Sequence, residues 1–401
     1  MRGHVEEVGK NHFYIVIELG RDAQGKRARQ RHTFYGGLWQ AEAELVRLIG
    51  EIENGLAYDP ERMTVSEFLD RWLTTHAKGT VSPKTFERYE EICALHLKPG
   101  LGAFRLTKLR PLHIQGFLAE DAKKRHDKKE GELSARTVLA HYRVFEQALN
   151  QSVRWQIIAT NPAAAVTPPR PKQVEMKALG EADTAALFAA AEGTRLYLPI
   201  LLAVTTGLRR GELLALRWQD VDLDAGCLTV RQTLEEIAAG LAFKQPKTAK
   251  SRRLVPLATM TVQALKRHKA QQKEDRFGFG PGYKDNDLVL PRWNGEPWAP
   301  NLLTGAFGDL MDRLDLPRVR FHDLRHSHAS QLLRQGVHPK IVSERLGHST
   351  VGITMDVYSH LLPGLQEEAV GKVAAALQEA IDKRLADGTQ TIWHKKGTKA
   401  G

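Results

Sequence analysis

The segment TTGLRRGELLALRW, in the second half of the sequence, places an arginine where it can bind a phosphate. Thr206-Gly207 is a helix-start signal, so Arg209 falls in the first turn of the predicted helix. A guanidinium there lies against the positive end of the helix dipole, which is unfavourable unless an anion also binds. Glu212 follows three residues later on the same face and can brace Arg209. A simple surface ion pair between these two residues is the alternative interpretation.

The segment HDLRHSHASQLL contains three histidines and an arginine within seven positions. In a helix, His322 and Arg325 lie three residues apart on one face, while His326 points elsewhere. A zinc site would need four ligands in tetrahedral geometry. No cysteine lies nearby and Asp323 faces another way, so the spacing favours an anion-binding pair over a metal site. We expect His326 and His328 to pack against or support the others.

A candidate nucleophile follows in the segment RLGHSTVGITMDVYSH. Tyr358 is the only one of the eight tyrosines that lies downstream of the histidine and arginine cluster. His348 precedes it by ten residues, in a tight turn after Gly347. Two guanidiniums can each hold non-bridging oxygens of a phosphodiester, and a tyrosine that loses its proton to His322 can attack the phosphorus. Taken alone, Tyr358 would more often be a core or surface tyrosine.

The leaving 5′-oxygen in such a reaction needs a general acid, and a lysine suits this role. The segment KQPKTAKSRRLVPL offers Lys247 and Lys250 in a predicted β-turn between Phe243 and Val255. A lysine at the tip of that hairpin can swing into a site built from helices. A basic turn that touches a nucleic-acid backbone is the alternative. The sequence has no cluster of carboxylates to hold two Mg²⁺ ions, which is consistent with a site that works without metal.

The bulk composition favours a polyanionic partner. Lysine and arginine outnumber aspartate and glutamate by 58 to 47, and the formal net charge is +11. This balance indicates nucleic acid first and a membrane surface second. The longest apolar run, LYLPILLAV, is well short of the ~18 residues that suggest a membrane span. The two cysteines, Cys93 and Cys227, have no partners at metal-ligand spacing, so we expect a reduced, cytoplasmic compartment.

The N-terminal region predicts a basic β-hairpin followed by a helix. FYIVIEL alternates in hydrophobicity, Gly20, Asp22 and Gly25 supply turn chemistry, and GLWQAEAELVRLIGEIENG predicts the helix. A basic hairpin of this kind can enter the major groove of DNA, whereas a solvated hairpin tip is the alternative. Its candidate DNA-binding residues are Arg21, Lys26, Arg27, Arg29 and Arg31.

The middle region, from Met63, predicts a group of amphipathic helices. Thr64 and Glu67 have capping-box spacing, and Ser82-Pro83 indicates an N-cap followed by the first helical position. HDKKEGE predicts a loop, and the proline-rich TPPRPKQVEMK predicts a semi-rigid linker. A mostly helical region follows, with predicted strands at GCLTVRQT and SRRLVPL. The predicted segments are 1–57, 63–167, 175–385 and a basic tail, 386–401, that we expect to be disordered.

Taken in order, these segments resemble the tyrosine recombinase (phage integrase) family. TGLRRGE, HDLRH, LGHS and VYSH match that family's motifs in order and in approximate spacing, and the combination is far more specific than any one of them. Residues 63–167 resemble the family's core-site-binding domain, and residues 1–57 are similar to its arm-type DNA-binding domain. The resemblance favours Lys247 over Lys250, because PKT precedes SRRLVPL. The catalytic residues that it implies are Arg209, Lys247, His322, Arg325, His348 and Tyr358, with Glu212 orienting Arg209.

The resemblance implies a multidomain, mainly α fold with small β elements. Its parts are an N-terminal three-stranded β-sheet plus helix, a helical core-site-binding domain, and a mixed α/β, mostly helical catalytic domain. It implies a site-specific integrase of a mobile element that acts on double-stranded DNA attachment sites as a homotetramer. A directionality factor is a candidate further partner, and no metal or other cofactor is expected.

Three alternatives remain open. A host chromosome-dimer resolvase begins at the helical domain and lacks the N-terminal hairpin region. A type IB topoisomerase would not need that extra domain for relaxation alone, and a catalytically silent DNA-binding regulator has no need of the full set of catalytic residues. The C-terminal segment LQEEAVGKVAAALQEAI can dock on a neighbouring copy or on its own domain. Its apolar side consists of Leu365, Val370, Val373, Leu377 and Ile381.

Overall fold

The chain divides into two compact units, Met1–Gln173 and Val174–Gly401. The structure is a computed structural model that describes residues 2–9, 11–21, 27–53, 62–123, 125–126, 129–172, 178–245, 252–358 and 365–386. The boundary between the units, Gln173/Val174, falls within the proline-rich segment TPPRPKQVEMK that is predicted as a linker, and the finer division into four segments stays a prediction. Within the described part of the chain, no helix is long and apolar enough to cross a lipid bilayer.

The first unit begins with a three-stranded antiparallel sheet in the order β1-β2-β3. The strands are β1 Arg2–Gly9, β2 His12–Arg21 and β3 Arg27–Tyr35. A helix, α1 (Leu38–Glu53), packs on the face that carries the buried Ile15 and Ile17. Gly3 permits this close approach, because a Cβ there would lie 2.7 Å from Cδ1 of Leu45 on α1. The opposite face of the sheet stays accessible.

The rest of the first unit is helical and has its own apolar core around Phe68, Trp72 and Phe145. The capping box at Thr64 is confirmed, since its backbone N–H donates to the Glu67 carboxylate at 2.8 Å. Within the predicted loop HDKKEGE, His126 and residues 129–132 instead form part of a small two-stranded ribbon. The elements are α2 Val65–Trp72, α3 Lys78–Thr80, α4 Pro83–Ile92, α5 Lys98–Leu101, α6 Pro111–Lys123, β4 Arg125–His126, β5 Lys129–Glu132 and α7 Ala135–Arg154.

The second unit is mostly helical, with one three-stranded antiparallel sheet in the order β10-β7-β6 and one hairpin, β8-β9. The strands are β6 Val221–Asp222, β7 Cys227–Val230, β8 Thr233–Ile237, β9 Gly240–Lys244 and β10 Arg253–Pro256. The buried α9 forms the centre of its core. The helices are α8 Glu181–Ala191, α9 Tyr197–Thr206, α10 Arg210–Leu214, α11 Thr259–Phe279, α12 Pro300–Met311, α13 Asp323–Arg334, α14 Pro339–Leu346, α15 Val351–Tyr358 and α16 Leu365–Ala386.

A buried carboxylate joins three helical segments of the first unit. Asp121 on α6 is fully buried, and its two oxygens lie 3.0 Å from Nδ1 of His96 and 2.6 Å from Nδ1 of His141. Two atoms bound to one tetrahedral zinc ion would stand about 3.3 Å apart. These shorter separations are those of hydrogen bonds, so the cluster is a structural polar link inside an apolar core.

We expect Asp121→Asn to destabilise the helices of the first unit by about 3 kcal/mol. Each oxygen of the Asp121 carboxylate now accepts a hydrogen bond from a histidine ring N–H. In the asparagine variant, the side-chain NH₂ would face one of these N–H groups, so a buried donor would lose its partner. Hydrogen–deuterium exchange of α6 and α7 measures the effect, and amide protection there should fall by roughly 10²-fold.

The matched control is Glu120→Gln. Glu120 is the neighbouring acid, and it forms an exposed ion pair with Lys123 at 2.8 Å. Such a pair contributes about 0–1 kcal/mol. Equal protection in the two variants would contradict a structural role for Asp121.

Candidate active site

The short helix α10 places Arg209 at its N-cap, with Glu212 one turn further on. The Arg209 guanidinium donates to Glu212 Oε1 at 2.8 Å, and the Arg209 backbone N–H donates to Oε2 at 2.9 Å. The adjacent Arg210 points away and donates to the carbonyl of Pro300 at 3.1 Å. Of the two consecutive arginines, Arg209 is therefore the one that Glu212 holds, and its side chain remains 38% exposed.

Arg325, on the first turn of α13, connects the C-terminal ends of two helices. Its guanidinium donates to the carbonyl of Gly207 at 2.6 Å and to that of Leu346 at 2.8 Å. Gly207 ends α9 in the left-handed conformation, with φ of 67°. A Cβ at that position would lie 2.6 Å from a methyl group of Leu346, so only glycine fits there. Arg325 itself is buried.

The turn that follows α14 positions His348. Gly347 takes a φ of 67°, and the backbone N–H groups of Gly347 and His348 donate back to the carbonyls of Glu344 and Ser343, both at 3.0 Å. This is the Schellman arrangement of a helix C-terminus. The ring Nδ1 of His348 lies 2.8 Å from the hydroxyl of Thr354 on α15. Backbone and ring are therefore both fixed.

Three arginines donate hydrogen bonds to the backbone carbonyls that have no backbone partner in this turn. Arg253 donates to the carbonyl of Arg345 at 2.7 Å, Arg325 to that of Leu346 at 2.8 Å, and Arg209 to that of Gly347 at 2.9 Å. These guanidiniums come from β10, α13 and α10. The last carbonyls of a helix lack partners within the helix and carry a partial negative charge, so they favour cations. The end of α14 therefore brings Arg209 and Arg325 to the turn that carries His348.

Residues 173–364 match the phage integrase family, and residues 64–120 match the family described as phage integrase, N-terminal SAM-like domain. The chain belongs to the phage integrase family. It is 28% identical over 386 residues to a "Tyrosine recombinase XerC-like" protein of Caldanaerobacter subterraneus subsp. tengcongensis, which covers 90% of this chain and 95% of that protein. It is 29% identical over 371 residues to an integrase of Streptomyces ambofaciens, with 90% and 92% covered. The chain is a tyrosine site-specific recombinase.

The fold of this recombinase is shared with solved integrase structures. A structure of the Tn1549 transposon integrase in complex with a circular intermediate DNA has a TM-score of 0.66 at 20% identity, and covers 78% of this chain and 99% of that one. A lambda integrase tetramer bound to a Holliday junction has a TM-score of 0.57 at 19% identity, with 88% and 96% covered. The predicted mainly α fold with an N-terminal three-stranded sheet is confirmed.

The charge of the recombinase site is fixed by its arginines. Burial alone would raise the pKa of Glu212, but the hydrogen bonds and charge of Arg253 and the charge of Arg209 outweigh it and hold that pKa at about 2. Burial, followed by the charge of Arg325, lowers the pKa of His348 to about 4. Burial and the same arginine also lower the pKa of His322. At neutral pH the site therefore contains positive arginines and neutral imidazoles.

The other two histidines of HDLRHSH do not converge with His322 on one point where a metal ion could bind. The His326 ring packs edge-to-face on that of His322, with centroids 5.2 Å apart, and burial lowers its pKa to about 4. His328 is buried and accepts a hydrogen bond at Nε2 from Arg345 at 2.9 Å. The expectation that these two histidines pack against or support the site agrees with these contacts.

Two predicted site residues fall at the edge of the described residues. Lys247, like Lys250, lies outside them. Tyr358 is the last residue of α15, but its side chain lies outside the described part. The predicted hairpin around the lysines is wrong, because β9 pairs with β8 whereas β10 pairs with β7. The segment between Lys244 and Arg253 connects two different sheets.

The N-terminal sheet exposes two of the predicted DNA-binding arginines. Arg29 and Arg31 pair across the sheet with Glu18 and Val16, on the face opposite α1. Arg29 lies 3.3 Å from the carboxylate of Glu18, and Arg31 lies 3.3 Å from that of Glu6. Lys26 lies outside the described residues, as do the side chains of Arg21 and Arg27.

Sequence reasoning missed Arg253, Arg345 and Thr354. One signal for Arg253 was available. In β10, Arg253 and Val255 are buried and alternate with the exposed Leu254. An arginine in phase with a buried valine on a short strand indicates a charged group that faces inward toward a partner.

Acid should weaken the second unit partly through His328. Burial and the charge of Arg345 lower the pKa of His328 to about 3, against about 6.5 in an unfolded chain. As the pH falls below 6.5, the His328 imidazole therefore takes up a proton in the unfolded state but stays neutral in the folded state. This contribution to stability is complete above pH 6.5 and is lost toward pH 3. His328→Gln retains an acceptor for Arg345 and should flatten the dependence of unfolding free energy on pH between 6.5 and 4.

The measurement is urea unfolding at a series of pH values, followed in the second unit by hydrogen exchange. His338→Asn is the control for loss of a histidine as such, because His338 is exposed and asparagine also caps helices. A slope in His328→Gln as steep as in the parent would contradict the assignment.

Proposed function

We propose that this recombinase integrates or excises a mobile element by cutting and rejoining double-stranded DNA attachment sites through a 3′-phosphotyrosyl bond at Tyr358. The observation that carries the proposal is the meeting of Arg209 and Arg325 at the turn of His348, directly before the helix that ends at Tyr358. Two fixed positive charges and a neutral imidazole suit a phosphodiester in a transition state that gains negative charge.

In the proposed reaction, the Tyr358 oxygen attacks the scissile phosphorus, and the bond to the 5′-oxygen breaks. His322 is neutral at physiological pH and accepts the tyrosine proton, while Lys247 protonates the leaving oxygen. The 5′-hydroxyl of another strand then attacks the phosphotyrosyl bond and releases the tyrosine. Because the ester bond is conserved in the intermediate, the exchange needs no external energy source.

The arginines and His348 have distinct parts in this scheme. Arg209, the more exposed guanidinium, contacts a non-bridging oxygen directly, and Arg325 contributes its charge from a buried position. If Nδ1 of His348 accepts a hydrogen bond from the Thr354 hydroxyl, its Nε2–H is left to donate to the phosphate. Glu212 orients Arg209. The contacts described above and the resemblance support each of these proposed roles.

The accessible face of the N-terminal sheet supports a second DNA-binding surface. Arg29 and Arg31 project from it, and their ion pairs with Glu18 and Glu6 are exposed and therefore weak. Phosphates can displace such carboxylates. Separate arm and core addresses on one chain favour an integrase of a mobile element over a host chromosome-dimer resolvase. Relatives include the ICEBs1 integrase of Bacillus subtilis, 33% identical over 172 residues.

We further propose that four copies act together on two duplexes in the cytoplasm, since strand exchange needs four breaks. The apolar side of α16 is exposed in the single chain, which supports docking on another copy rather than on its own unit. A directionality factor remains a candidate partner. The exposed apolar residues are Val370, Val373, Leu377 and Ile381.

We expect Tyr358→Phe to abolish the covalent protein–DNA adduct while DNA affinity changes by less than about twofold. Removal of one hydroxyl takes away the nucleophile but no charge, and phosphate contacts dominate affinity. A denaturing gel after incubation with supercoiled plasmid carrying the attachment site measures the adduct.

Tyr283→Phe removes a hydroxyl from another tyrosine of the same unit and serves as the control. It should form adduct at the parent's level. Retention of the adduct in Tyr358→Phe would eliminate Tyr358 as the nucleophile.

Deleting residues 1–57 should spare protection of the core site and remove protection of a second, separate sequence. Arg29→Ala with Arg31→Ala should have the same effect in the full chain. The effect should be strongest at low salt, because phosphate contacts release counterions and therefore weaken as the salt concentration rises. DNase footprinting on attachment-site DNA measures both.

Arg47→Ala is the matched control, since Arg47 is also exposed and ion-paired, but on α1. Identical footprints for the full and shortened chains would show that the N-terminal sheet does not bind a second DNA sequence. The main support for a mobile-element integrase over a host resolvase would then be lost.

A further inference from the structure

Arg253 binds the Glu212 carboxylate from the side opposite Arg209. The proposed reaction gives Arg253 no role. It donates to Glu212 Oε1 at 3.1 Å and to Oε2 at 2.8 Å. Only 6% of its side chain is exposed, so it is shielded from a DNA backbone. A buried arginine with this geometry acts on other protein groups.

We propose that Arg253 is a positioning residue for strand cleavage, which fixes the carboxylate that orients Arg209 and keeps the positive charge of Arg209 available to the phosphate. The proposal rests on the proposed function above. It names a residue that acts through Glu212 and not through contact with DNA.

The first reason is geometric. Each oxygen of Glu212 accepts one hydrogen bond from Arg209 and one from Arg253. A carboxylate with a partner on both sides of each oxygen cannot rotate without breaking bonds. Without Arg253, Glu212 would keep only the bonds to the residue that it must orient. The planar fork of Arg253 therefore determines the plane in which Arg209 is held.

The second reason is the charge balance. Arg209 and Glu212 alone form a neutral ion pair, which attracts a phosphate only weakly. Arg253 adds a positive charge on the far side of the carboxylate and makes the trio net positive. Glu212 is then shared between two guanidiniums, and more of the field of Arg209 reaches the exposed side of the site.

The third reason is that Arg253 is itself anchored by its contacts with the turn of His348, and can therefore hold Glu212 in a fixed place. Its Nε donates to the carbonyl of Arg345, and a Cβ on Gly347 would lie 3.0–3.2 Å from its guanidinium and Cδ. Arg253 also begins β10, where it pairs with Val230 of β7. One side chain thus links the sheet, α10 and the end of α14.

The test uses the full chain and a nicked duplex of the footprinted core site, on which cleavage cannot be resealed. Arg253→Gln should lower the single-turnover cleavage rate by at least ~10-fold, the scale of a small misplacement of a catalytic group. The dissociation constant for the same duplex should stay within about twofold. Arg253→Lys keeps the charge but not the fork, so its rate should lie between those of Arg253→Gln and the parent.

Two results would overturn the proposal. One is cleavage by Arg253→Gln at the parent's rate. The other is a loss of DNA affinity as large as the loss of rate, which would make Arg253 a DNA contact. If the parent itself forms no adduct, the proposed function fails instead, so the two failures are distinguishable.

A double-mutant comparison covers the case in which Arg253→Gln fails to fold because Glu212 is left buried without enough partners. Glu212→Gln with Arg253→Gln contains no buried charge at this position. If Arg253 acts through Glu212, the double variant should cleave within about threefold of Glu212→Gln alone. A further ~10-fold loss would mean that Arg253 acts independently, which contradicts the proposal.

Arg217→Gln is the matched control for breaking a buried ion pair in the same unit. Arg217 donates to the buried Asp220 at 2.7 and 3.2 Å, and neither residue has a part in the proposed reaction. It should lower thermal stability while leaving the cleavage rate of the folded protein within about twofold of the parent. A tenfold slower rate in Arg217→Gln would show that lost stability alone explains the effect of Arg253→Gln, and would overturn the proposal.

Discussion

The carbonyl groups at the C-terminal end of α14 are the constraint on which the active site depends. A helix of this kind ends with four carbonyls that lack partners within the helix. The turn at Gly347 satisfies those of Ser343 and Glu344 through its own backbone. The carbonyls of Arg345 and Leu346 remain, together with that of the turn residue Gly347, and a different arginine donates to each of these three. A feature that any helix end must resolve thus becomes the means of gathering positive charge.

The same solution recurs at the end of α9. Gly207 ends that helix, and its carbonyl accepts a hydrogen bond from Arg325. Arg325 therefore spans two helix ends, and a shift of either one would break a charge-assisted bond. Lysine cannot replace it, since a single ammonium lacks the fixed fork that reaches two carbonyls at once. Rigidity here comes from backbone groups, which cannot change rotamer.

The sequence predicted the parts of this arrangement that lie in contiguous motifs. Arg209 with Glu212, and His322 with Arg325, share helical faces because three residues make nearly one turn. The partners of Arg253 are 41 and 92 residues away, so no local spacing could reveal them. The strand β1 could not be predicted from its residues for another reason. None of its described residues is fully buried, so its sequence does not alternate between apolar and polar residues. Its presence followed from the resemblance alone.

The lysine hairpin shows the same limit in another form. Two strand-like stretches flank a basic turn, and a local interpretation pairs them with each other. In the structure β10 pairs with β7 and β9 pairs with β8, because the register of a strand is determined by which face it buries. Val255 faces the core next to Leu228 of β7. The pairing of these strands is therefore determined by the apolar side chains that they bury together, and not by how close they lie along the chain.

Burial, and after it the charge of the arginines, keeps the imidazoles of the site neutral at neutral pH. Burial lowers the pKa of His348 first, and the charges of Arg325 and Arg209 lower it further. A bound phosphate would offset the arginine charges, which acts to raise that pKa, while the exclusion of water by the same DNA acts in the opposite direction. Burial is the first cause, so the imidazole of His348 is neutral at neutral pH before DNA binds, and the positive charge of the site comes from guanidiniums that the fold has already placed.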